Sequence, residues 1–284
     1  MAISNGFVDL HTHTTASDGV CSPTENVRLA AEAGLAAIAI TDHDTINGIA
    51  EAQRAGVKYN VIVIPGVEIS TAVGRRDIHI LGYNCDLQDA AFTAFLNEQQ
   101  NVRGLRNIRL VERLAELDIY VSIDEILAQT PTLEGRADSI GRPHFAQALI
   151  RLGLVQSMDE AFKAYLAPGG KAFVTIPRIA PEVAIDRIRA AGGLAVIAHP
   201  GLYQNDELVK HLLEYGVDGI EAYHSDHTVE QEMKYQAWAD AYGIMATAGS
   251  DFHGSRNGDV YHGPIGHRKT ALNNVMKIIE AHIV

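Results

Sequence analysis

Residues 36–44 read AAIAITDHD, and this stretch decides the fold. Residues 36–40 form a short, continuous apolar run, and the polar residues 41–44 follow it at once. A run of this length without polar alternation is typical of a strand that is buried on both faces of a parallel sheet. We therefore predict a buried strand whose carboxyl end carries histidine and aspartate.

The same pattern recurs along the chain. Further apolar runs occupy residues 6–10, 61–67, 78–82, 194–198, 219–222 and 244–248. Helical patterns lie between many of these runs, and most end at glycine: residues 23–33, 47–55, 181–191, 206–215 and 229–242. Strands that alternate with helices predict a parallel sheet, and seven such strands predict a closed or nearly closed α/β barrel.

This alternation stops between residues 89 and 175. Helical patterns cover residues 90–117, 123–129, 143–152 and 158–166, and no strand pattern appears. We predict an inserted helical subdomain at 89–175, with the barrel formed by residues 1–88 and 176–284.

Composition excludes several classes of protein. The net charge of −12 over 284 residues excludes a globally basic nucleic-acid-binding protein, although a local basic pocket stays possible. Two cysteines cannot build a disulfide framework, which favours a reduced, cytoplasmic protein. The sequence shows no signal peptide and no apolar run that is long enough for a membrane span. We therefore expect no membrane association, and no feature predicts an obligatory protein partner.

Candidate metal ligands stand at or near the ends of the predicted strands. They are His11, His13, Asp18, His43, Glu68, His79, His199, Asp251 and His253. Imidazole and carboxylate ligands suit Zn, Mn or Fe, and nine ligands are too many for one ion. Because unpaired buried polar groups are costly, the whole set predicts a site for two or three ions.

Other polar residues near the strand ends are candidates for supporting roles. Ligand imidazoles usually donate their second N–H to a carboxylate, and four residues are candidates for this role: Asp9, Asp42, Asp44 and Glu221. His224 and His227 leave open an additional metal or substrate contact, and His262 and His267 leave open a cap over the site.

Basic residues of the predicted insert are candidates for phosphate binding. Four arginines recur at helical spacing, namely Arg103, Arg106, Arg109 and Arg113. Arg142 precedes Pro143, a predicted first helical residue, and a helix N-terminus favours phosphate. Lys171 lies in a glycine-rich loop that returns to the barrel. Arg142 and Lys171 are the strongest predictions for a phosphate pocket.

With these residues the chain resembles the PHP (polymerase and histidinol phosphatase) phosphoesterase family. The matching segments are residues 9–13 (DLHTH), 17–19 (SDG), 40–44 (ITDHD), 65–68 (PGVE), His79, 198–201 (AHPG) and 249–253 (GSDFH). The insert is similar to that of the branch with 3′,5′-nucleotide bisphosphate phosphatase and the 5′→3′ exoribonuclease ribonuclease AM. The segments that carry this similarity are Arg103 and Arg106, residues 141–146 (GRPHFA), 165–166 (YL) and 170–171 (GK).

The resemblance implies a distorted (β/α)7 TIM-like barrel with a trinuclear site that typically holds manganese, with Fe or Zn as alternatives. By similarity, one ion would be held by His11, His13, Glu68 and Asp251. Glu68 would bridge to a second ion held by His79 and His199, and a third would be held by Asp18, His43 and His253. Glu68, His199 and Asp251 would be catalytic, and His199 or a metal-bound water would serve as the general acid.

The function implied is hydrolysis of the 3′ phosphate ester of 5′-phosphorylated nucleotides by attack of a metal-bound hydroxide. A 3′,5′-bisphosphonucleotide would lose its 3′ phosphate, and short 5′-monophosphorylated RNA would be shortened from its 5′ end. The substrate-binding residues would be Arg103, Arg106, Arg142, His144 and Lys171. Two positions depart from the branch: Gly141, where Ser or Thr is common, and Leu202, where Arg is common.

Three other functions compete with this one. A small-molecule phosphatase such as histidinol-phosphate phosphatase would not need the insert. Amidohydrolase-like barrels commonly bridge their metals with a carbamylated lysine, and here Glu68 takes that place. A non-catalytic PHP module is disfavoured because all nine ligand positions are filled.

Overall fold

The computed structural model describes residues 6–74, 76–130, 137, 140–174, 176–256 and 259–280. The strands are β1 (Phe7–Asp9), β2 (Ala37–Ile40), β3 (Ile62–Val73), β4 (Arg76–Tyr83), β5 (Leu194–Ile197), β6 (Gly219–His224), β7 (Met245–Gly249), β8 (Ser255–Arg256), β9 (Asp259–Val260) and β10 (Thr270–Ala271). The helices are α1 (Pro23–Glu32), α2 (Ile49–Tyr59), α3 (Ala90–Ala115), α4 (Ile123–Ala128), α5 (Arg142–Arg151), α6 (Met158–Ala161), α7 (Pro181–Ala190), α8 (Asp206–Tyr215), α9 (Val229–Tyr242) and α10 (Met276–Ile279). A π-helical turn covers Phe162–Leu166, and 3₁₀ turns cover Pro200–Tyr203 and Leu272–Val275.

Eight strands form one sheet in the order β10-β1-β2-β3-β4-β5-β6-β7. The sheet closes into a barrel between β1 and β7, through contacts just beyond the ends of these two strands. There the Leu10 N–H donates to the Ala248 carbonyl at 3.0 Å, and Thr12 and Phe252 form a parallel bridge. The predicted α/β barrel with helices is confirmed.

The direction of β4 differs from the prediction of parallel strands. β4 runs antiparallel to β3, with Ser70 opposite His79, and antiparallel to β5, with Ile80 opposite Ile197. The cause is the short connection between Val73 and Arg76, because a tight turn can only join antiparallel strands. His79 therefore reaches the site from the first half of its strand.

Helix α2 begins two residues later than predicted and does not end at Gly56. It continues to Tyr59 and ends at Asn60, whose left-handed φ of 55° closes the helix. Gly56 is needed where the helix approaches the sheet, since a β-carbon there would lie 2.6 Å from the Val61 carbonyl oxygen. The glycine allows close packing and does not stop the helix.

The helices between Ala90 and Leu166 pack around an apolar cluster of their own. Leu110, Leu114, Phe145 and Leu149 are among its buried members. Separate buried clusters lie inside the barrel and under α7–α9. Within the described ranges, no helix is both long enough and apolar enough to span a membrane.

Candidate metal centre

The barrel brings candidate ligands together from the ends of several strands. His11 and His13 follow β1, and His43 follows β2. Asp251 and His253 follow β7, while Glu68 lies within β3. Asp251 and His199 have positive φ values of 54° and 24°, a conformation that Asp and His tolerate better than β-branched residues do.

Four of these residues form a compact first cluster. Glu68 Oε2 lies 3.4 Å from His11 Nε2 and 3.1 Å from His13 Nε2. Asp251 Oδ1 lies 3.3 Å and 3.1 Å from the same two nitrogens. The edge of a tetrahedron of ligands with bonds of about 2.1 Å is about 3.4 Å, so this spacing suits one ion.

The donor set of this cluster needs a cation. His11 Nδ1 lies 3.1 Å from Glu221 Oε1, and because a carboxylate accepts, the His11 proton belongs on Nδ1. His11 Nε2 then points a lone pair at His13 Nε2, 3.1 Å away, and at two carboxylate oxygens. Lone pairs that face one another in a buried site are repulsive unless a positive charge lies between them.

A second group surrounds the other oxygen of Glu68. Glu68 Oε1 lies 2.7 Å from His79 Nδ1 and 3.0 Å from His199 Nε2. The two histidine nitrogens are 3.3 Å apart. Glu68 therefore faces ligand groups with both oxygens, as a bridging carboxylate would.

A third group lies around Asp18. His253 Nε2 is 3.3 Å from Asp18 Oδ1, and His43 Nε2 is 3.9 Å from Asp18 Oδ2. His13 joins both this group and the first one. The structure thus gathers all nine sequence-predicted ligands into three adjoining groups, of which Glu68, His13 and His43 are shared members.

Shifted pKa values reflect the same crowding of charge. Burial lowers the pKa of His13, but hydrogen bonds to Asp251 and Glu68 outweigh it and raise that pKa to about 10. Burial opposes ionisation of Glu68, yet the histidines around it, His79 first, hold its pKa well below the usual range. Protons thus balance the carboxylates when ions are absent.

The four carboxylates that were candidate partners of ligand imidazoles behave differently. Only Glu221 receives an imidazole N–H, from His11, and it also accepts the His199 backbone N–H at 2.7 Å. Asp9 and Asp42 hold loop segments instead, through the Ser250 N–H at 3.0 Å and the Thr14 N–H at 2.7 Å respectively. Asp44 pairs with Arg103.

Four arginines line the cleft beside the ligands, and we call them the arginine wall: Arg103, Arg106, Arg142 and Arg178. Arg142 and Arg178 both contact the Asp77 carboxylate, Arg178 at 3.0 Å. Arg103 donates to Asp44 at 3.0 Å and to Ser70 Oγ at 2.8 Å. Four guanidinium groups thus meet two carboxylates, which leaves two positive charges without a direct partner in this set.

Arg106 shows the imbalance most clearly. Its described hydrogen bonds go to the neutral amide oxygen of Asn107, at 3.0 and 3.3 Å. Burial and the neighbouring guanidinium groups of the wall lower the pKa of Arg106 well below its usual range. Because arginine keeps its proton, the wall is a pre-formed site for an anion.

Residues beside the wall or beside the candidate ligands link the two regions at two places. Arg103 bonds to Asp44 and Ser70, which are neighbours of His43 and Glu68 in sequence. Gly141, next to Arg142, lies against Asp18, where a β-carbon would come within 2.5 Å of Asp18 Oδ2. A side chain at position 141 would therefore displace this aspartate.

Two of the five predicted substrate-binding residues do not line the cleft. Lys171 is exposed, and its ammonium group lies 5.6 Å from the centre of the Tyr165 ring. His144 is buried, and its Nδ1 accepts the Gly141 N–H at 2.9 Å, so it caps helix α5. That helix begins at Arg142, which places Pro143 at its second position and not at its first. Of the helical arginines, Arg109 is exposed and pairs with Glu112, and Arg113 is also exposed.

Sequence analysis missed Arg178 entirely. It lies in the irregular segment between the insert and α7, where no periodic pattern singles it out. Its position opposite Asp77 depends on the antiparallel course of β4, which the sequence analysis did not predict.

The four histidines that the sequence left open as supporting residues divide into two pairs. His224 and His262 both reach Asp251 Oδ2, each at 3.3 Å. His227 Nε2 accepts the Gly201 N–H at 3.1 Å and therefore supports a loop, and His267 lies exposed beside Ser225.

The cleft itself has a volume of about 200 Å³. Its walls differ in character, since Pro143, Phe162 and Leu202 add apolar surface to the arginines and ligands. Leu202 carries no charge, so this position adds apolar surface to the cleft and no phosphate contact. Fold and site together define a barrel hydrolase that binds divalent metal and accepts an anionic substrate.

Comparison with known proteins identifies the family. The model of the PHP domain matches residues 9–167. A 5′-3′ exoribonuclease of Haemophilus influenzae is 38% identical over 250 residues, which cover 86% of this chain and 89% of that protein. A 3′,5′-nucleoside bisphosphate phosphatase of Chromobacterium violaceum is 35% identical over 262 residues and 90% of either chain.

A solved structure agrees with these relatives. A Bifidobacterium adolescentis protein, assigned as a metal-dependent phosphoesterase, superposes with a TM-score of 0.86 at 30% identity, over 98% of this chain and 96% of that one. The chain therefore belongs to the PHP domain family. The predicted enzyme class, a metal-dependent phosphoesterase, is confirmed.

Proposed function

We propose that this enzyme hydrolyses the 3′ phosphate ester of nucleotides that carry a 5′ phosphate. A 3′,5′-bisphosphonucleotide yields the nucleoside 5′-monophosphate and phosphate. Short 5′-monophosphorylated RNA yields its first nucleotide as a 5′-monophosphate, so repeated cleavage proceeds 5′→3′. Relatives named for each of these two activities support the proposal.

The observation that carries it is the arginine wall in the same cleft as the candidate ligands. The two positive charges of the wall that have no direct partner in it match the charge of a phosphate dianion. A phosphatase that acts on a single phosphate ester does not require this second anion site. A second phosphate, held at the wall, would place the neighbouring ester over the ligands. The two activities then differ only in the size of the leaving group.

We propose three divalent ions, with manganese preferred and iron or zinc as alternatives. The ligands would be the three groups described above, and Glu68 would bridge two of the ions. When bound, such ions lower the pKa of water and neutralise phosphate charge. The geometry supports His199 as a ligand more than as a general acid, because its Nε2 points at Glu68 and His79.

The protein's own groups carry out the remaining tasks. Arg142 and Arg178, fixed by Asp77, would orient the 5′ phosphate. Glu221 keeps the tautomer of His11 and fixes the His199 backbone. We propose that residues 1–88 and 176–284 supply the metal centre, and that the insert, 89–175, supplies most of the arginine wall. Free cysteines at positions 21 and 85 are consistent with the cytoplasm, which we propose as the compartment.

The direct test uses manganese-loaded protein and a 3′-labelled, 5′-monophosphorylated RNA of ten nucleotides. We expect a ladder that shortens from the 5′ end, and no ladder with Asp251→Asn. A second outcome is that metal-loaded protein releases phosphate from a 3′,5′-bisphosphonucleotide and yet gives no ladder. That outcome would exclude the RNA activity from the proposal. Release from histidinol phosphate alone would replace the proposal with the small-molecule phosphatase.

A further inference from the structure

A fourth group of possible ligands adjoins the first cluster. His224, at the end of β6, and His262, in the segment after β9, join Asp251 with ligand atoms within 4.8 Å of one another. Such a group either holds a further ion or is held together by protons. The two cases differ in which ring nitrogens carry hydrogen.

The two oxygens of Asp251 face different neighbours. Oδ1 points at His11 Nε2 and His13 Nε2, at 3.3 and 3.1 Å. Oδ2 points at His224 Nε2 and His262 Nε2, both at 3.3 Å. Only Oδ1 therefore belongs to the first cluster.

The hydrogen bonds of His224 determine its tautomer. Its Nδ1 accepts the Asp226 backbone N–H at 3.1 Å, so Nδ1 carries a lone pair. The proton of the neutral ring is then on Nε2, which donates to Asp251 Oδ2. A metal-bound histidine shows the opposite arrangement, with its second nitrogen donating as His11 Nδ1 does to Glu221.

His262 has no lone pair to offer either. Its Nδ1 contacts Asp226 Oδ2, and its Nε2 faces Asp251 Oδ2. Carboxylate oxygens accept hydrogen bonds, so the ring satisfies both contacts only by donating from both nitrogens. The fourth group therefore matches hydrogen-bond donors around a carboxylate and does not match a set of metal ligands.

We infer that His224 and His262 are positioning residues that fix Asp251 through Oδ2 and leave Oδ1 for the metal. This inference rests on the proposed role of Asp251 as a ligand. Through Asp226, His262 also ties the segment after β9 to the loop that follows β6. The orientation of a ligand carboxylate by such partners typically accounts for about 10- to 100-fold in metal affinity.

Two substitutions at one position separate the contacts of His262. The amide of glutamine reaches the place of Nε2, so His262→Gln keeps a donor toward Asp251. The amide of asparagine reaches the place of Nδ1, so His262→Asn keeps the contact with Asp226 alone. Manganese affinity and stoichiometry of metal-stripped protein would be measured by calorimetric titration, with kcat and KM determined in parallel.

We expect His262→Asn to weaken the tightest manganese site about 10- to 100-fold and to lower kcat without raising KM. His262→Gln should stay within about threefold of the parent affinity. Unchanged affinity in His262→Asn, equal losses in both variants, or loss of one whole equivalent of manganese in both would each overturn the inference. A parent protein that binds no manganese would instead overturn the proposed metal centre, and this inference with it.

Circular dichroism and thermal unfolding in chelator show whether each variant folds. If His262→Asn does not fold, the same comparison is made at His224. There His224→Gln keeps the Nε2-like donor and His224→Asn lacks it, so the expected order of affinities is the same.

Discussion

The metal centre and the arginine wall occupy one cleft, but they are assembled in different ways. The metal centre collects side chains from strand ends and from β3 and β4, elements fixed by the sheet. The wall joins α3, the first turn of α5 and the segment before α7, which are remote in sequence and whose arginines pair with Asp77 and Asp44. The metal centre has an excess of lone pairs, whereas the wall has an excess of positive charge.

This difference assigns different tasks to the two regions. A cluster of lone pairs demands cations and so determines whether the chemistry occurs at all. A wall of paired arginines with surplus charge determines which anion stays beside that chemistry. Substitutions in the metal centre should therefore lower kcat, and substitutions in the wall should raise KM for one class of substrate.

Glu68→Gln should give the largest effect. Glu68 faces ligand groups with both oxygens, and an amide cannot bridge two cations. Loss of one bridging charge removes several kcal/mol of transition-state stabilisation, so we expect kcat to fall on the order of 10³-fold or more. Metal content by mass spectrometry should fall as well. Full metal content and full activity in Glu68→Gln would contradict the proposed division of tasks between the metal centre and the arginine wall.

Arg142→Ala should raise KM and leave kcat nearly unchanged. The loss of a charge-assisted hydrogen bond of about 1.5–3 kcal/mol predicts a rise in KM of roughly 10- to 150-fold for 5′-phosphorylated substrate. Substrate with a 5′ hydroxyl should hardly change, because it offers no charge to the wall. Arg109→Ala, an exposed arginine on α3 paired with Glu112, is the matched control. An equal loss on both substrates would contradict a phosphate clamp.

Metal binding should depend on pH, whereas the charge of the arginine wall should not. The carboxylates Asp251 and Glu68 overcome the effect of burial and raise the pKa of His13 to about 10 in the metal-free site. At neutral pH this ring carries a proton that an incoming ion must displace, so affinity rises with pH. For each proton released, we expect manganese affinity to increase roughly tenfold between pH 7 and 8. Calorimetry in buffers of different ionisation enthalpy counts the protons, and a count of zero would refute the assignment.

The sequence predicted the two regions unequally, for a physical reason. His11 and His43 directly follow buried strands, so their meeting at one end of a barrel follows from local pattern. The direction of β4 is not encoded in its apolar residues, although the short connection after Val73 already excluded a parallel pair. Because the sequence analysis did not predict that hairpin, it could not predict that Asp77 contacts Arg142 and Arg178.

Local pattern is also insufficient within the insert. Arg103 and Arg109 lie on the same helix, and only the packing of α3 buries the first and exposes the second. His144 follows Arg142 in a motif shared with the related branch, yet its ring caps a helix. Residue type and spacing predicted a basic pocket, and tertiary packing selects its members.

Lys171→Ala should give the smallest effect on KM. Together with Arg178→Ala, it tests which basic residues belong to the arginine wall. The glycine-rich loop made Lys171 a strong sequence prediction for phosphate binding, but its ammonium group lies over Tyr165 outside the cleft. Arg178, which the sequence analysis missed, lines the cleft and contacts Asp77. We expect KM for 5′-phosphorylated RNA to change less than about twofold in Lys171→Ala, since surface substitutions rarely cost more than about 0.5 kcal/mol. Arg178→Ala should raise it at least about tenfold. The reverse order, measured on the same RNA, would mean that the loop closes over bound substrate and that the wall extends to Lys171.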